Sequence, residues 1–291
     1  MLKLVQVLLS LPSLSLLLLS SSLEETNALL QVCKKKGVSI TYVLSAAMLL
    51  ATSAYIQDNC PSYNLQDIRL RFLLSVGLRP YASKYYKDLN KISNDFTNGT
   101  VACAAGAIDY IVPISSKTTS YAQSWTGSDK EIEDFFEIAK NSKFLANSLM
   151  CFVPESVRLF GLGMDYIDIL RVVEMESKNN KNMGRGFSCG VSNMGMVDFN
   201  RHKPGNIYVK GGYYGTSHTR NGVLCQLSCM TIEKSFHGCL QFTSPLTSNH
   251  EANIYTSRFE NIIRSICQLN LRKQNENNHA DNLDYDIVCH P

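Results

Sequence analysis

A polar break in an apolar stretch of the chain is the first place where side chains could do chemistry. Residues 186–199 alternate apolar with small or polar side chains, which predicts a strand, and Ser192, Asn193 and Gly195 then interrupt the alternation. A serine hydroxyl and an asparagine amide can hydrogen-bond a substrate carbonyl, and a glycine lets a ligand approach the backbone. The same residues are typical of an ordinary turn, because asparagine and glycine adopt turn conformations readily. A binding site and a turn are both open interpretations.

The sequence around this break comes close to two catalytic motifs. Residues 190–195 are similar to the G-x-S-x-G nucleophile elbow, but the second glycine comes one residue too late. Residues 184–186 begin a G-x-G-x-x-G dinucleotide fingerprint, yet Cys189 occupies the position of its last glycine. We therefore predict neither a serine hydrolase nor a dinucleotide-binding site here.

Potential zinc ligands lie close together further along the chain: Cys225, Cys229, His237 and Cys239. In the predicted strand, Val223 and Leu227 share the face of the first two cysteines, and such a face is typical of a hydrophobic core. Free cysteine behaves there as a small buried hydrophobe. We therefore interpret these residues as buried thiols and predict no metal site.

His218 is a weak candidate for a catalytic base. It follows a stretch rich in tyrosine and glycine at the predicted end of a strand, where ligand contacts often occur. A hydrogen-bonded or exposed histidine is the more ordinary interpretation of such a position.

Length, charge and cysteine usage exclude some classes of protein. The chain has 291 residues and a formal net charge of +3, which suits one large domain or two modest ones and does not indicate a nucleic-acid partner. The ten cysteines are scattered, without the dense framework of a small secreted domain, so they do not assign a compartment.

Residues 1–22 form an apolar segment rich in leucine and serine. The segment is similar to a signal peptide, with Ser20 and Ser22 as small residues near a cleavage point, and its apolar stretch is short for a spanning helix. The alternative is that it replaces a different upstream region. The predicted localisation follows from this choice: secretory or membrane-associated if residues 1–22 are a leader, and cytoplasmic otherwise.

The hydrophobic periodicity predicts an α+β protein. Helices are predicted at residues 23–36, 40–56, 128–150, 166–175 and 250–272. Strands are predicted at residues 68–77, 101–114, 186–191, 206–218, 222–232 and 237–246. The polar tail, residues 273–291, is predicted to be disordered.

Four segments of the chain are similar to segments of one known family. They are "LEETNALLQVCKKKGVSITYVLSAAMLLATS", "SVGLRPY", "GFSCGVSNMG" and "FHGCLQFTSPL". Together they resemble the alcohol acetyltransferases, which belong to the chloramphenicol-acetyltransferase-like superfamily with peptide-synthetase condensation domains. The resemblance covers residues 23–270 but only the carboxy-terminal half to two-thirds of a typical member. It implies a mixed β-sheet packed by helices, incomplete relative to the two similar halves of the family fold.

The resemblance also implies a chemistry, namely acyl transfer to an alcohol or amine with acyl-CoA as co-substrate and no tightly bound cofactor. In the family, the histidine of an H-x-x-x-D motif is the general base, because a hydroxyl is a poor nucleophile until a base removes its proton. None of the six histidines of this chain has an aspartate four residues later. By the resemblance, Ser192, Asn193 and Gly195 would lie beside the reaction channel.

We therefore predict an acyltransferase-like domain at residues 23–272 that lacks its general base and is inactive by itself. A hypothesis from another class is a non-catalytic module that binds an acyl or lipid ligand, or that pairs with another chain supplying the missing half. A third hypothesis is catalysis by a displaced base such as His218.

Overall fold

The computed structural model describes residues 14–62, 68–77, 105–152, 186–199, 208–216, 222–244 and 246–283. These residues contain a six-stranded mixed sheet in the order β1-β6-β5-β4-β2-β3. The strands are β1 (Leu14–Ser20), β2 (Arg69–Gly77), β3 (Ala105–Pro113), β4 (Phe187–Met196), β5 (Val223–Ile232) and β6 (Ser235–Thr243). The helices are α1 (Leu23–Lys36), α2 (Ile40–Asn59), α3 (Ser116–Gln123), α4 (Asp129–Leu149) and α5 (Asn249–Leu283), with a 3-10 turn at Met150–Phe152.

The first two helices form as their sequences predict. Ser22 and Glu25 make a reciprocal capping box at the start of α1, and Gly37 ends the helix in a left-handed conformation with φ of 68°. Helix α2 buries an unbroken run of residues, 43–54. It has the length and hydropathy of a membrane span, but most of it is enclosed by its neighbours, as expected of a core helix.

The sheet has two different faces, because the long helices pack on one side of it only. Helices α1, α2, α4 and α5 contact the strands, and alternate residues of each strand point into that core. We call this side the helical face and the opposite side the outer face. On β2 the helical face carries Leu70, Phe72 and Leu74, all of which are buried.

Most predicted strands are confirmed, but one is wrong. Strands β5 and β6 form an antiparallel hairpin, whereas β4 runs parallel to both β2 and β5. The hairpin turns at Glu233 and Lys234, whose φ values of 48° and 63° are those of a type I′ turn. The strand predicted at residues 206–218 is not formed at residues 208–216, which have irregular backbone. The helix predicted at residues 166–175 lies outside the described residues.

Strand β1 lies in the segment that the sequence assigns to a leader. It pairs antiparallel with β6 over its full length, and Leu17 and Leu19 are only 1% and 2% exposed. A short apolar run suits a leader and a buried strand equally well, so periodicity alone did not distinguish them. Residues 14–20, which precede the predicted domain boundary at residue 23, therefore belong to the sheet.

The last helix crosses residue 272, the predicted carboxy-terminal boundary of the domain. Helix α5 continues to Leu283, so the tail that was predicted to be disordered from Lys273 begins as helix.

The alternation within β1 gives a matched pair of substitutions. Leu17→Ala removes a side chain from the helical face, and we expect the free energy of unfolding to fall by about 2–5 kcal/mol. Leu18→Ala removes the same atoms from the partly exposed outer face, where the expected loss is below about 1 kcal/mol. Urea denaturation followed by circular dichroism measures both. Equal effects of the two substitutions would contradict the register of β1.

Candidate functional site

The predicted Ser-Asn pair is divided between the two faces of the sheet. The Asn193 Nδ2 group points to the helical face, where it donates a hydrogen bond of 3.0 Å to Thr41 Oγ1 at the start of α2. Ser192 points to the outer face and contacts Tyr214. Successive strand residues alternate in direction, so the side chains of Ser192 and Asn193 lie on opposite faces and do not hydrogen-bond to the same ligand.

Asn193 and Gly195 have a structural role in this arrangement. The Asn193 Oδ1 atom accepts a hydrogen bond of 2.9 Å from the Gly195 backbone N–H, and Gly195 has φ of +73°. The register against β5 shifts between Asn193 and Met196, which marks a β-bulge. The turn interpretation therefore explains this pair. Gly195 is needed for its left-handed backbone, since open space surrounds the position where a Cβ would be.

Ser192 is the residue of the predicted set that stays on the outer face. The Tyr214 hydroxyl donates to the Ser192 backbone oxygen at 2.5 Å and lies 3.1 Å from its Oγ atom. Burial raises the pKa of the Tyr214 phenol, which stays neutral at neutral pH. The Ser192 hydroxyl keeps its own proton and can donate it to a ligand oxygen. Within the described part of the chain no base contacts this hydroxyl, so the geometry supports binding and not nucleophilic attack.

Sequence reasoning did not identify Tyr214. It lies in the segment 208–216, which we call the strap because it crosses the outer face of β5 and β6. Glycines in "KGGYYGT" were the available signal, since they allow backbone to lie directly on a sheet.

The strap also covers His237, whose ring meets the ring of Tyr213 edge to face at 5.5 Å. The four potential zinc ligands do not form one site, because they lie on opposite faces of the sheet. Cys225 and Cys229 point to the helical face, where Cys225 lies beside Phe242 and Tyr255, whereas His237 and Cys239 point to the outer face. Among the residues that the structure describes, no group of three or more potential ligands is close enough to hold a metal ion.

The cysteines of the sheet, namely Cys189, Cys225, Cys229 and Cys239, are buried thiols in the structure. Burial raises the pKa of Cys189 to about 12 and that of Cys239 to about 11, and it also raises the pKa of Cys225 well above its usual value. Such thiols are protonated at neutral pH and are poor nucleophiles.

An arginine on the outer face is already paired. Arg71 Nε donates to Asp109 Oδ2 at 2.7 Å across β2 and β3, and its guanidinium lies over the Phe187 ring. This cation is therefore neutralised within the sheet. His218, the weak catalytic candidate, lies outside the described residues.

Different roles for Ser192 and Asn193 predict different effects on stability. Asn193→Ala removes two hydrogen bonds, and we expect a loss of about 1–3 kcal/mol in the free energy of unfolding. Ser192→Ala leaves Tyr214 bonded to the backbone oxygen, so the expected loss is below about 1 kcal/mol. Urea denaturation of the two variants checks this, and a larger loss for Ser192→Ala would show that the roles are reversed.

The comparison with known proteins is informative at the level of structure. No protein-family model matches the sequence, and no curated protein matches it either. Solved structures do match, and two of them superpose with TM-scores above 0.5. The TRI3 trichothecene 15-O-acetyltransferase from Fusarium sporotrichioides has a TM-score of 0.56 and 12% identity, covering 91% of this chain and 48% of that protein. The epimerization domain from the third module of tyrocidine synthetase B has a TM-score of 0.51 and 9% identity, covering 93% of this chain and 54% of that domain.

These similarities confirm the expected fold class. The resemblance implied a mixed β-sheet packed by helices, and the structure has this architecture. The chain has the chloramphenicol-acetyltransferase-like fold of condensation-type domains and acetyltransferases, and it spans about half the length of the structures that it matches.

Proposed function

We propose that this chain forms one half of an acyl-transfer site, in which an acyl group passes from a CoA thioester to an alcohol or amine. The observation that carries the proposal is the fold shared with an O-acetyltransferase over 91% of this chain and 48% of that protein. The sequence contains no H-x-x-x-D motif, so the general base would come from other polypeptide.

The chemistry explains why the half chain would need a partner. The acceptor oxygen or nitrogen attacks the thioester carbonyl, its proton passes to a base, and the CoA thiolate leaves. Ser192 could stabilise the carbonyl oxygen by hydrogen bonding. None of the described residues near Ser192 is a base that could take the proton of the attacking alcohol or amine. The imidazole of His237 lies beneath Gly211 of the strap with both ring nitrogens inaccessible to solvent, and so it does not reach a substrate while the strap is in place. Positioning by the other half of the site would also be missing.

Binding and turnover of acetyl-CoA by the purified chain test the proposal. We expect calorimetric titration to detect acetyl-CoA binding that Ser192→Ala weakens. Turnover with short alcohols should stay at background, because a positioned base contributes about 10²- to 10⁴-fold. Release of the CoA thiol is measured with a thiol-reactive dye.

Two outcomes would contradict this proposal. Absence of acetyl-CoA binding would remove the acyl-transfer half-site, and binding of a fatty acid such as octanoate in its place would favour the lipid-binding module. Rapid turnover by the chain alone would show that it contains a base, and His218→Ala would then test the displaced-base hypothesis.

A second candidate function is a protein-interaction module, and one surface favours it. Three large apolar side chains near the end of β4 are exposed: Met194 at 57%, Met196 at 78% and Phe199 at 50%. We call them the β4 patch. Exposed apolar groups this close together are typical of a surface that another protein covers, and methionine adapts to varied partners. A chain that supplies the missing half is the partner that we propose for it.

A charged side chain in the β4 patch should reduce self-association of the isolated chain. We expect the isolated wild-type chain to self-associate as its concentration rises, because the patch has no partner, and Met196→Glu to reduce this association at least several-fold. Sedimentation velocity over a concentration series measures the effect. Ile111→Glu is the matched control, since Ile111 is 52% exposed but lies on the edge strand β3.

A wild-type chain that is monomeric at every concentration would contradict this role of the patch. So would an equal effect of Met196→Glu and Ile111→Glu, since the association would then not depend on the end of β4.

A further inference from the structure

The strap lies unusually close to the sheet, and its glycines make this approach feasible. A Cβ on Gly211 would be 2.6 Å from His237 Cε1, and a Cβ on Gly215 would be 2.5 Å from Gln241 Nε2. Real Cβ atoms do not approach other atoms so closely, so a larger residue at either position would have to displace the His237 ring or the Gln241 side chain.

Two hydrogen bonds join the carboxy-terminal part of the strap to the sheet, and a third, between β5 and β6, orients Gln241. Gln241 Nε2 donates to the Thr216 backbone oxygen at 2.9 Å, while the Gln241 Oε1 atom accepts from Ser228 Oγ, also at 2.9 Å. Tyr214 donates to the backbone oxygen of Ser192. The strap therefore covers the outer face of β5 and β6 and places a phenol on Ser192.

His237 is the residue beneath the strap that lacks polar partners. Neither ring nitrogen is accessible to solvent, and neither has a hydrogen-bond partner in the part of the chain that the structure describes. A neutral imidazole tolerates this position poorly, and an imidazolium, which must donate from both nitrogens, tolerates it far less. Burial accordingly lowers the pKa of His237.

The groups around His237 do not offset its burial. Its register partners are Ser20 on β1 and Met230 on β5, and Cys239, two residues along β6, is a protonated thiol. The strap contributes Gly211 and the ring of Tyr213, while Lys210 is exposed. No charge within the described residues contributes to the shift of the His237 pKa. Protonation of His237 would thus place a cation under the strap with no counter-ion among the described residues around it.

We propose that the strap is a pH-dependent cover, which protonation of His237 releases from the outer face and, with it, Tyr214 from Ser192. In the closed state His237 binds its proton more weakly than it does in water. The closed strap is therefore fully stable above the ordinary histidine pKa of about 6.5, and its stability falls as the pH falls below that value. This inference concerns the strap alone and holds whether or not the chain takes part in acyl transfer.

Hydrogen exchange of the full chain between pH 7.5 and 5.0 tests the inference. After correction for the intrinsic exchange rate, we expect amides of residues 210–216 to exchange faster below about pH 6.5, by up to about tenfold per pH unit. Cys239 should become reactive towards dithiodipyridine over the same range, relative to glutathione as reference thiol, because release of the strap uncovers the outer face. Mass spectrometry of peptides resolves both effects.

Variants separate His237 from other histidines. His237→Phe keeps a ring beneath Gly211 without a titrating group, and it should hold strap exchange constant with pH. His237→Gln serves the same purpose if the phenylalanine variant does not fold. His250→Gln is the matched control, because His250 is exposed at the start of α5, and it should behave as the wild type.

Two results would overturn the inference. One is strap exchange in the wild type that does not change with pH after correction. The other is the same pH dependence in a folded His237 variant as in the wild type. Both readouts omit substrate, so failure here is distinct from failure to bind acetyl-CoA.

Discussion

The packing of long helices on a single face of the sheet is the constraint on which the rest of the structure depends. It divides every strand into residues that face the core and residues that face outward. On β1 this division buries Leu17 and Leu19, on β4 it sends Asn193 to α2 and Ser192 to the outer face, and on β5 and β6 it separates two cysteines from His237. Residues that look like one cluster in the sequence are therefore two groups, separated by the thickness of the sheet.

The strap covers the outer face of β5 and β6 by placing its backbone close to the sheet, and not by packing large side chains against it. Gly211 and Gly215 let the strap lie against His237 and Gln241, with one side-chain hydrogen bond to Thr216 and one from Tyr214. A cover without regular secondary structure opens at a lower free energy than a helix with a buried apolar stripe. The helical face is thus the stable side of the domain and the outer face is the side that can change.

The sequence predicted elements whose signals are local and did not predict contacts that depend on the whole sheet. Ser22, Glu25 and Gly37 set the ends of α1 within one stretch of chain, so its bounds were predictable. The apolar run of β1 had no local feature to distinguish a strand from a leader, because only pairing with β6 makes the difference. A strand was predicted at residues 206–218, yet the glycines in this segment allow irregular backbone to lie close to side chains of β5 and β6. The contact of Tyr214 with Ser192 joins residues that no motif connects.

The geometry of the outer face relates the two contacts that the acyl-transfer proposal places at Ser192, namely a base from a partner chain and Tyr214 of the strap. A base brought by a partner chain can act near Ser192 only if it approaches from the outer face, because the helical face is filled by α2. Tyr214 already occupies the space next to Ser192 on that side. A partner and the strap would therefore compete for the same hydroxyl, and any partner would have to supply contacts that outweigh those of Tyr214 and Gln241. The exposed methionines of the β4 patch lie two and four residues beyond Ser192 in the same strand, where apolar burial could provide that free energy.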